Sequence, residues 1–231
     1  MADERRNNLL KVIVEEYIQS ASPVGSNFIA DKYFEDISSA TIRNDMVELE
    51  SEGLIYQPHT SAGRIPTIAG YQYYLDHFVQ NSILDKKSRG ILDRLVEKLS
   101  TDREGSKELA KGIAEISKNA VLIGFAPNDV YYTGISNMFR QPEFNESASV
   151  YNMSDIIDHL DDVMGKIFHN LSDEVEVLIG DENPFGVMSA VVISKYNLAG
   201  QECSIGILGP TRMDYGQGVS LINYAKELFK K

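Results

Sequence analysis

Between Asn7 and Thr67 the chain changes its hydrophobic period abruptly, and few folds accommodate that change. Leu9, Leu10, Val12, Ile13, Tyr17 and Ile18 recur at helical spacing with Glu15 and Glu16 on the other side, which predicts a first helix from Asn7 to Ala21. Ser22-Pro23 breaks it, and with Ser22 as a cap a second helix is expected over Gly25 to Tyr33. In a third helix, capped by Ser38 or Ser39, Ile42, Met46 and Leu49 fall at i, i+4 and i+7, and Gly53 stops it. The pattern then shrinks to Leu54-Ile55-Tyr56, the polar segment QPHTSAGRIPT, and one apolar residue within it, Ile65. Ser61-Ala62-Gly63 has the composition of a turn between two short strands, Gly63 permitting it, and Pro58 and Pro66 are expected to frame the hairpin and keep it from continuing the sheet. Three short helices followed by a hairpin are the layout of a winged helix, with the hairpin as the wing.

Thr67 is placed to cap a further helix, IAGYQYYLDHFVQ, with Tyr71, Tyr74, Leu75 and Phe78 along one stripe. Two more helices are expected over Asp85 to Leu99 and Glu108 to Asn119, separated by the polar break STDREGS. Beyond them AVLIGFAP and DVYYTGIS read as strands and SDIIDHLDDVMGKIFHNL as one amphipathic helix. EVEVLIG, FGVMSAVVISKYN and ECSIGILGP read as three more strands, and YGQGVSLINYAKELF as a last helix. Strands and helices that do not alternate strictly imply an α+β fold with a mostly antiparallel sheet. The expected division is a winged-helix domain over 1–81, a helical linker over 82–119 and a second domain over 120–231.

At 231 residues, 43% hydrophobic and 24% charged, the chain has the composition of a folded protein with room for two small cores. Its start, MADERRNNLL, lacks a signal-type apolar run, and nowhere do eighteen uncharged apolar residues follow one another, so a cytoplasmic protein off the membrane is expected. Cys203 is the only cysteine, which rules out an internal disulfide and the usual thiolate zinc site. The net charge of −12 argues against a general coat for nucleic acid, since such binding rests on Lys and Arg neutralising phosphates. Residues 1–84 hold six Lys or Arg against twelve Asp or Glu, so any DNA contact there depends on a few well-placed groups.

Burying Ile42, Met46 and Leu49 leaves Ser39, Thr41, Arg43, Asn44 and Val47 toward solvent on the third helix. Hydroxyls, an arginine and an asparagine near a helix N-terminus suit a duplex: the helix end attracts phosphate, Arg pairs with guanine and Asn with adenine. A polar solvated face is the competing explanation. In the wing, His59, Ser61 and Arg64 are the candidates, Arg64 for the minor groove or, alternatively, for an ion pair with a nearby carboxylate. Enzymatic readings are weaker. SAGR lacks the spacing of a phosphate-binding loop, the four histidines are scattered, and the aspartates around Asp155 to Asp162 lack the pattern of a calcium loop, so no catalysis, cofactor or metal is expected. IGILGPTRMDYG reads as the end of a strand and the start of the last helix.

SPVGSNFIADKY, ISSATIRNDMVELESEGLIYQPHTSAGRIPT and GYQYYLDHFV, with VYYTGISNMFRQPEF and IGILGPTRMDYGQGVSLINYAKEL further on, resemble the HrcA family of heat-inducible transcription repressors. The resemblance implies a winged helix-turn-helix joined to a GAF-like domain, a homodimer on an inverted-repeat operator in double-stranded DNA upstream of chaperone genes, and a GroE-type chaperonin as co-regulator. It also implies a long insert, a dimerisation element, between the strand AVLIGFAP and the block VYYTGIS. Here Pro127 is followed directly by Asn128-Asp129-Val130, so the GAF-like sheet is expected in reduced form. The two copies would then be held by the helices of 85–119 with exposed faces of the sheet. A small-molecule-sensing winged-helix regulator and a winged-helix protein-interaction module are the rival functions.

Overall fold

The computed structural model describes residues 2–79, 82–97, 102–144 and 147–229. The chain divides into two compact units, 1–81 and 82–231. The first unit begins with three helices, α1 (Ala2–Ser20), α2 (Ser26–Tyr33) and α3 (Ser39–Ser51). Two short strands follow, β1 (Ile55–Tyr56) and β2 (Ile65–Pro66), and then α4 (Ile68–Tyr74), which continues as a π-helical turn through Val79. The strands pair antiparallel with Ile55 opposite Pro66 and Tyr56 opposite Ile65. This is the winged-helix order. Much of its core is the set that helical spacing picked out, Leu9, Leu10, Ile13, Ile42, Met46 and Leu49; Val14, Ile29 and Glu16, the last expected on the outer side, are buried as well, while Val12, Tyr17 and Ile18 are half-buried.

Local chemistry sets the helix ends. Ser38 caps α3 by accepting from the Thr41 amide at 3.1 Å, and Gly53, at φ +75°, carries the chain out of it. Thr67 caps α4, accepting from Gly70 N at 3.0 Å. Ser22 does not cap α2. Gly25 occupies that position with no side-chain bond to the helix, and Ser22 turns back onto Ser20. Gly63 differs from expectation as well: a Cβ there would lie 2.3 Å from the Val24 carbonyl carbon and oxygen. Close approach of the wing to the segment before α2 requires this glycine. The turn itself is closed by Ala62 N donating to His59 O at 2.8 Å.

The second unit contains α5 (Lys86–Val96), α6 (Arg103–Ser117), β3 (Ala120–Ala126), β4 (Asp129–Thr133), α7 (Ile135–Met138), α8 (Ser147–Asp158) and α9 (Leu160–Phe168). It ends with β5 (Glu176–Ile179), β6 (Ser189–Leu198), β7 (Gln201–Pro210) and α10 (Tyr215–Phe229). The five strands form one antiparallel sheet in the order β4-β3-β7-β6-β5. The fold is α+β, as the pattern of elements requires. β6 and β7 join through Ala199-Gly200, both at positive φ, the geometry that matches strand twist in a two-residue hairpin.

Both faces of this sheet are covered, which explains its near-continuous apolar strands. Alternate residues of β3 point to opposite sides: Ala120 and Leu122 join a cluster with Leu160, Met164, Phe185, Val191, Ile193 and Leu208. α6 packs on β3 from the segment expected as a linker, burying Leu109, Ala110, Ile113 and Ala114, and α10 packs on β6. Two boundaries move. α6 starts at Arg103 because Asp102 caps it, accepting from Gly105 N at 2.9 Å, so the REGS of the expected break is already helical. The single helix expected over 154–171 breaks at His159 into α8 and α9.

Candidate nucleic-acid interface

α3 holds its inner face with more than apolar residues. Asp45 is buried beside Met46 and accepts from Arg5 of α1 at 2.6 and 2.9 Å, a two-pronged pair that fixes the rotation of α3 about its own axis. Its position, three residues after Ile42 on the buried stripe, was the available signal, and periodicity of apolar residues alone passes over it. α2 is tied to α1 through Glu16, which accepts from Lys32 at 2.7 Å and from the Tyr33 hydroxyl. Those two bonds hold the Glu16 carboxyl below its ordinary range despite its burial.

With that face fixed, Arg43, Asn44 and Val47 are exposed on the outer side of α3. Thr41 is half-buried, and its hydroxyl meets the Ser38 hydroxyl at 2.9 Å. Ser39 lines a groove shared with Asn27, Asp31 and Glu35, an acidic neighbourhood. In the wing, His59 and Ser61 are exposed around the turn, and the Gln57 side chain braces the loop by donating to Thr60 O at 3.0 Å and Ala62 O at 2.8 Å. Arg64 stands at the base of the wing. Its backbone exchanges two hydrogen bonds of 2.9 Å with Val24, and its guanidinium pairs with Glu50 of α3 at 2.9 and 3.0 Å with the side chain only 14% exposed.

A groove of about 510 Å³ brings several of these groups together. It is lined by Arg43 and Met46 of α3, by Thr60, Ser61 and Arg64 of the wing, and by Gly25, Ser26 and Asn27 at the start of α2. The Val24–Arg64 bridge is what carries the α2 N-terminus to the wing, a long-range pairing with no trace in local periodicity. Ser26 and Asn27 were therefore outside the expected set. Charge is distributed unevenly in this unit. Arg5, Arg6, Lys11, Lys32 and Arg64 each make an ion pair with a carboxylate, whereas among the described residues Arg43 makes none. An exposed arginine on a fixed helix, beside a hairpin and over polar hydroxyls, can approach a phosphate or a base edge without first breaking a bond.

A three-helix unit with a β-hairpin wing, followed by an antiparallel α+β unit, defines a two-unit winged-helix protein. The chain belongs to the HrcA family: residues 71–219 match the family model described as the HrcA protein C terminal domain. Two relatives, each named heat-inducible transcription repressor HrcA, extend over nearly the whole chain. That of Desulfitobacterium hafniense is 27% identical over 96% of this chain and 95% of its own length. That of Carboxydothermus hydrogenoformans is 25% identical over 97% and 96%. The repressor of the same name from Chlorobium phaeobacteroides is 42% identical over 113 residues, 49% of this chain and 32% of its own. The first two alignments run over 328 residues against a chain of 231, so those relatives carry length that has no counterpart here. A crystal structure described only as a hypothetical protein has the same fold, with a TM-score of 0.75 at 20% identity over 97% of this chain and 98% of that one.

Proposed function

We propose that this chain is a DNA-binding repressor of chaperone genes that acts as a homodimer on an inverted-repeat operator and releases it on heat stress. The observation that carries the reading is Arg43, which among the described residues of the first unit is the cation without a carboxylate partner and faces solvent on the third helix. Membership in a family of transcription repressors supports the direction of control. On this reading Ser39, Thr41, Arg43 and Asn44 read bases and the adjacent backbone, while His59, Ser61 and Arg64 make wing contacts, Arg64 by exchanging Glu50 for a phosphate. An acidic unit with so few free cations binds one half-site weakly, and two linked copies raise the effective concentration of the second contact. A GroE-type chaperonin, by the family resemblance, would maintain the active form.

Selection of duplexes from a randomised pool with the purified chain is the direct test. Enrichment of a sequence with two inverted halves spaced by one or more helical turns is expected, with affinity falling steeply as salt rises. A pool that returns no enriched sequence refutes the reading. Sedimentation at micromolar concentration, with and without the selected duplex, tests the dimer, and a monomer in both conditions refutes that part.

A further inference from the structure

Both faces of the sheet in the second unit are covered, which leaves its two edges, β4 and β5, as the places where another strand can pair. Among the described residues no backbone bond beyond the sheet's own engages 129–133 or 176–179. An edge with free N–H and C=O groups is a template for a further strand, and soluble proteins commonly guard it with lysine, proline or a bulge. β4 carries Asp129, Val130, Tyr131, Tyr132 and Thr133, with none of these guards. Its one irregularity of pairing lies on the neighbouring strand, where Phe125 of β3 is the extra residue between Gly124 and Ala126. Tyr132, on this edge, is 45% exposed.

We propose that β4 is the surface through which two copies of this chain pair, antiparallel and strand against strand, about a two-fold axis at Tyr131. The inference rests on the homodimer reading above and names its interface. In an antiparallel pair the bonded residues alternate along each strand, so a two-fold axis falls on a residue and not between two. At Tyr131 all five residues find a partner, and Pro127, which has no N–H to donate, stays outside. Val130 of one copy then faces Tyr132 of the other, twice by symmetry, an aromatic and β-branched pairing on the face where Val130 already packs against the core. Asp129 meets Thr133 and not its own image, and its carboxylate is held by Arg103. Lys107, over the Tyr131 ring, is paired with Glu104 at 2.7 Å, so no unbalanced charge faces the axis.

β5 fails the same test. Asp173, Glu174, Glu176, Asp181 and Glu182 lie in and around this strand, with no Lys or Arg among 173–182. An axis at Val177 brings Asp173 against Asp181, and one at Leu178 brings Glu174 against Glu182, each twice. The charge pattern therefore selects β4 paired with itself. Self-pairing also closes at two copies, whereas β4 on β5 would add copies without end.

A five-residue edge supplies about four to six backbone bonds, a small interface, so dimerisation in the micromolar range is expected, tightened when both copies hold one duplex. Tyr132→Lys, at an exposed position, guards the edge and removes both pairings with Val130. It is expected to raise the dimer dissociation constant by about tenfold in sedimentation, with the melting temperature retained. Tyr131→Cys puts a thiol on the axis opposite its own image, at the Cα separation of about 4.5–5.5 Å that a disulfide spans. The native Cys203 is buried. Under a mild oxidant the full-length Tyr131→Cys protein is expected to run as a covalent dimer on a non-reducing gel, and Val177→Cys, on β5, as a monomer. A wild-type dimer without crosslinking of the Tyr131→Cys protein, or with unchanged sedimentation of a folded Tyr132→Lys protein, overturns this interface and leaves the homodimer reading standing. Equal crosslinking of Val177→Cys, or species larger than two copies, overturns it as well. A wild type that stays monomeric with and without the selected duplex removes the homodimer reading and this one together.

Discussion

Two arginines of the first unit were expected at the interface, and their surroundings separate their roles. Arg43 is exposed and makes no ion pair among the described residues; Arg64 is largely buried, with Glu50 against its guanidinium and Val24 against its backbone. Arg43→Ala should therefore weaken binding to the selected duplex by about 1–3 kcal/mol and relax its sequence preference, with the melting temperature unchanged. Arg64→Ala should do the reverse: lower the melting temperature by loosening the base of the wing, and weaken DNA less than Arg43→Ala does. Anisotropy titrations beside thermal melts check both, and a larger DNA effect from Arg64 would reverse the assignment. Arg43 was legible because its exposure follows from the helical spacing of Ile42, Met46 and Leu49. The partner of Arg64 was not, since Glu50 sits on another element and sequence offers several carboxylates equally near.

At the scale of elements, caps and stop signals were legible wherever one side chain meets one nearby amide. Ser38 and Thr67, both expected as caps, each accept from an amide at the start of the helix they precede, and Asp85, expected as the first residue of its helix, caps it in the same way. Asp102 does so too, yet the polar run around it reads equally well as a loop, and the choice depends on α6 having a sheet to pack against. The break at His159 was invisible for the opposite reason. Apolar spacing continues through it, and packing decides where two helices replace one. The wing depends on backbone contact, so Gly63→Ala should cost about 1–3 kcal/mol of stability, because the Val24 carbonyl cannot retreat as a flexible side chain would. Urea unfolding measures this, and a loss indistinguishable from an exposed Gly→Ala change would show that the wing yields easily. The same variant is expected to weaken DNA, because the Val24–Arg64 bridge that aligns wing and α2 is adjacent.

For the whole molecule, both units hold carboxylates below their ordinary range: Glu16 through Lys32 and Tyr33 in the first, Asp129 through Arg103 in the second. A depressed folded pKa means that the stabilisation is complete above the unfolded value and disappears as pH falls through the folded one. Unfolding midpoints should thus be level above about pH 5 and decline below about pH 4. Glu16→Gln should remove a share of that decline, converging with wild type at low pH, and a constant difference across the range would contradict it. The second unit also bears on the sensing alternative, since Met138, Phe144, Met164 and Phe185 are fully or almost fully buried on one side of the sheet. A metabolite would have to displace that core.

β3 and β4 are joined by Pro127 and Asn128 alone, with Ala126 directly across from Asp129. Chain ends that leave and return at neighbouring strand positions, about 5 Å apart, form a socket: a folded module can be spliced there at a small loop-closure cost while the sheet keeps its register. Read evolutionarily, such a socket lets a lineage lose or regain an appendage in one genetic step; read by an engineer, it offers a place to graft a fluorescent or ligand-gated module into this regulator.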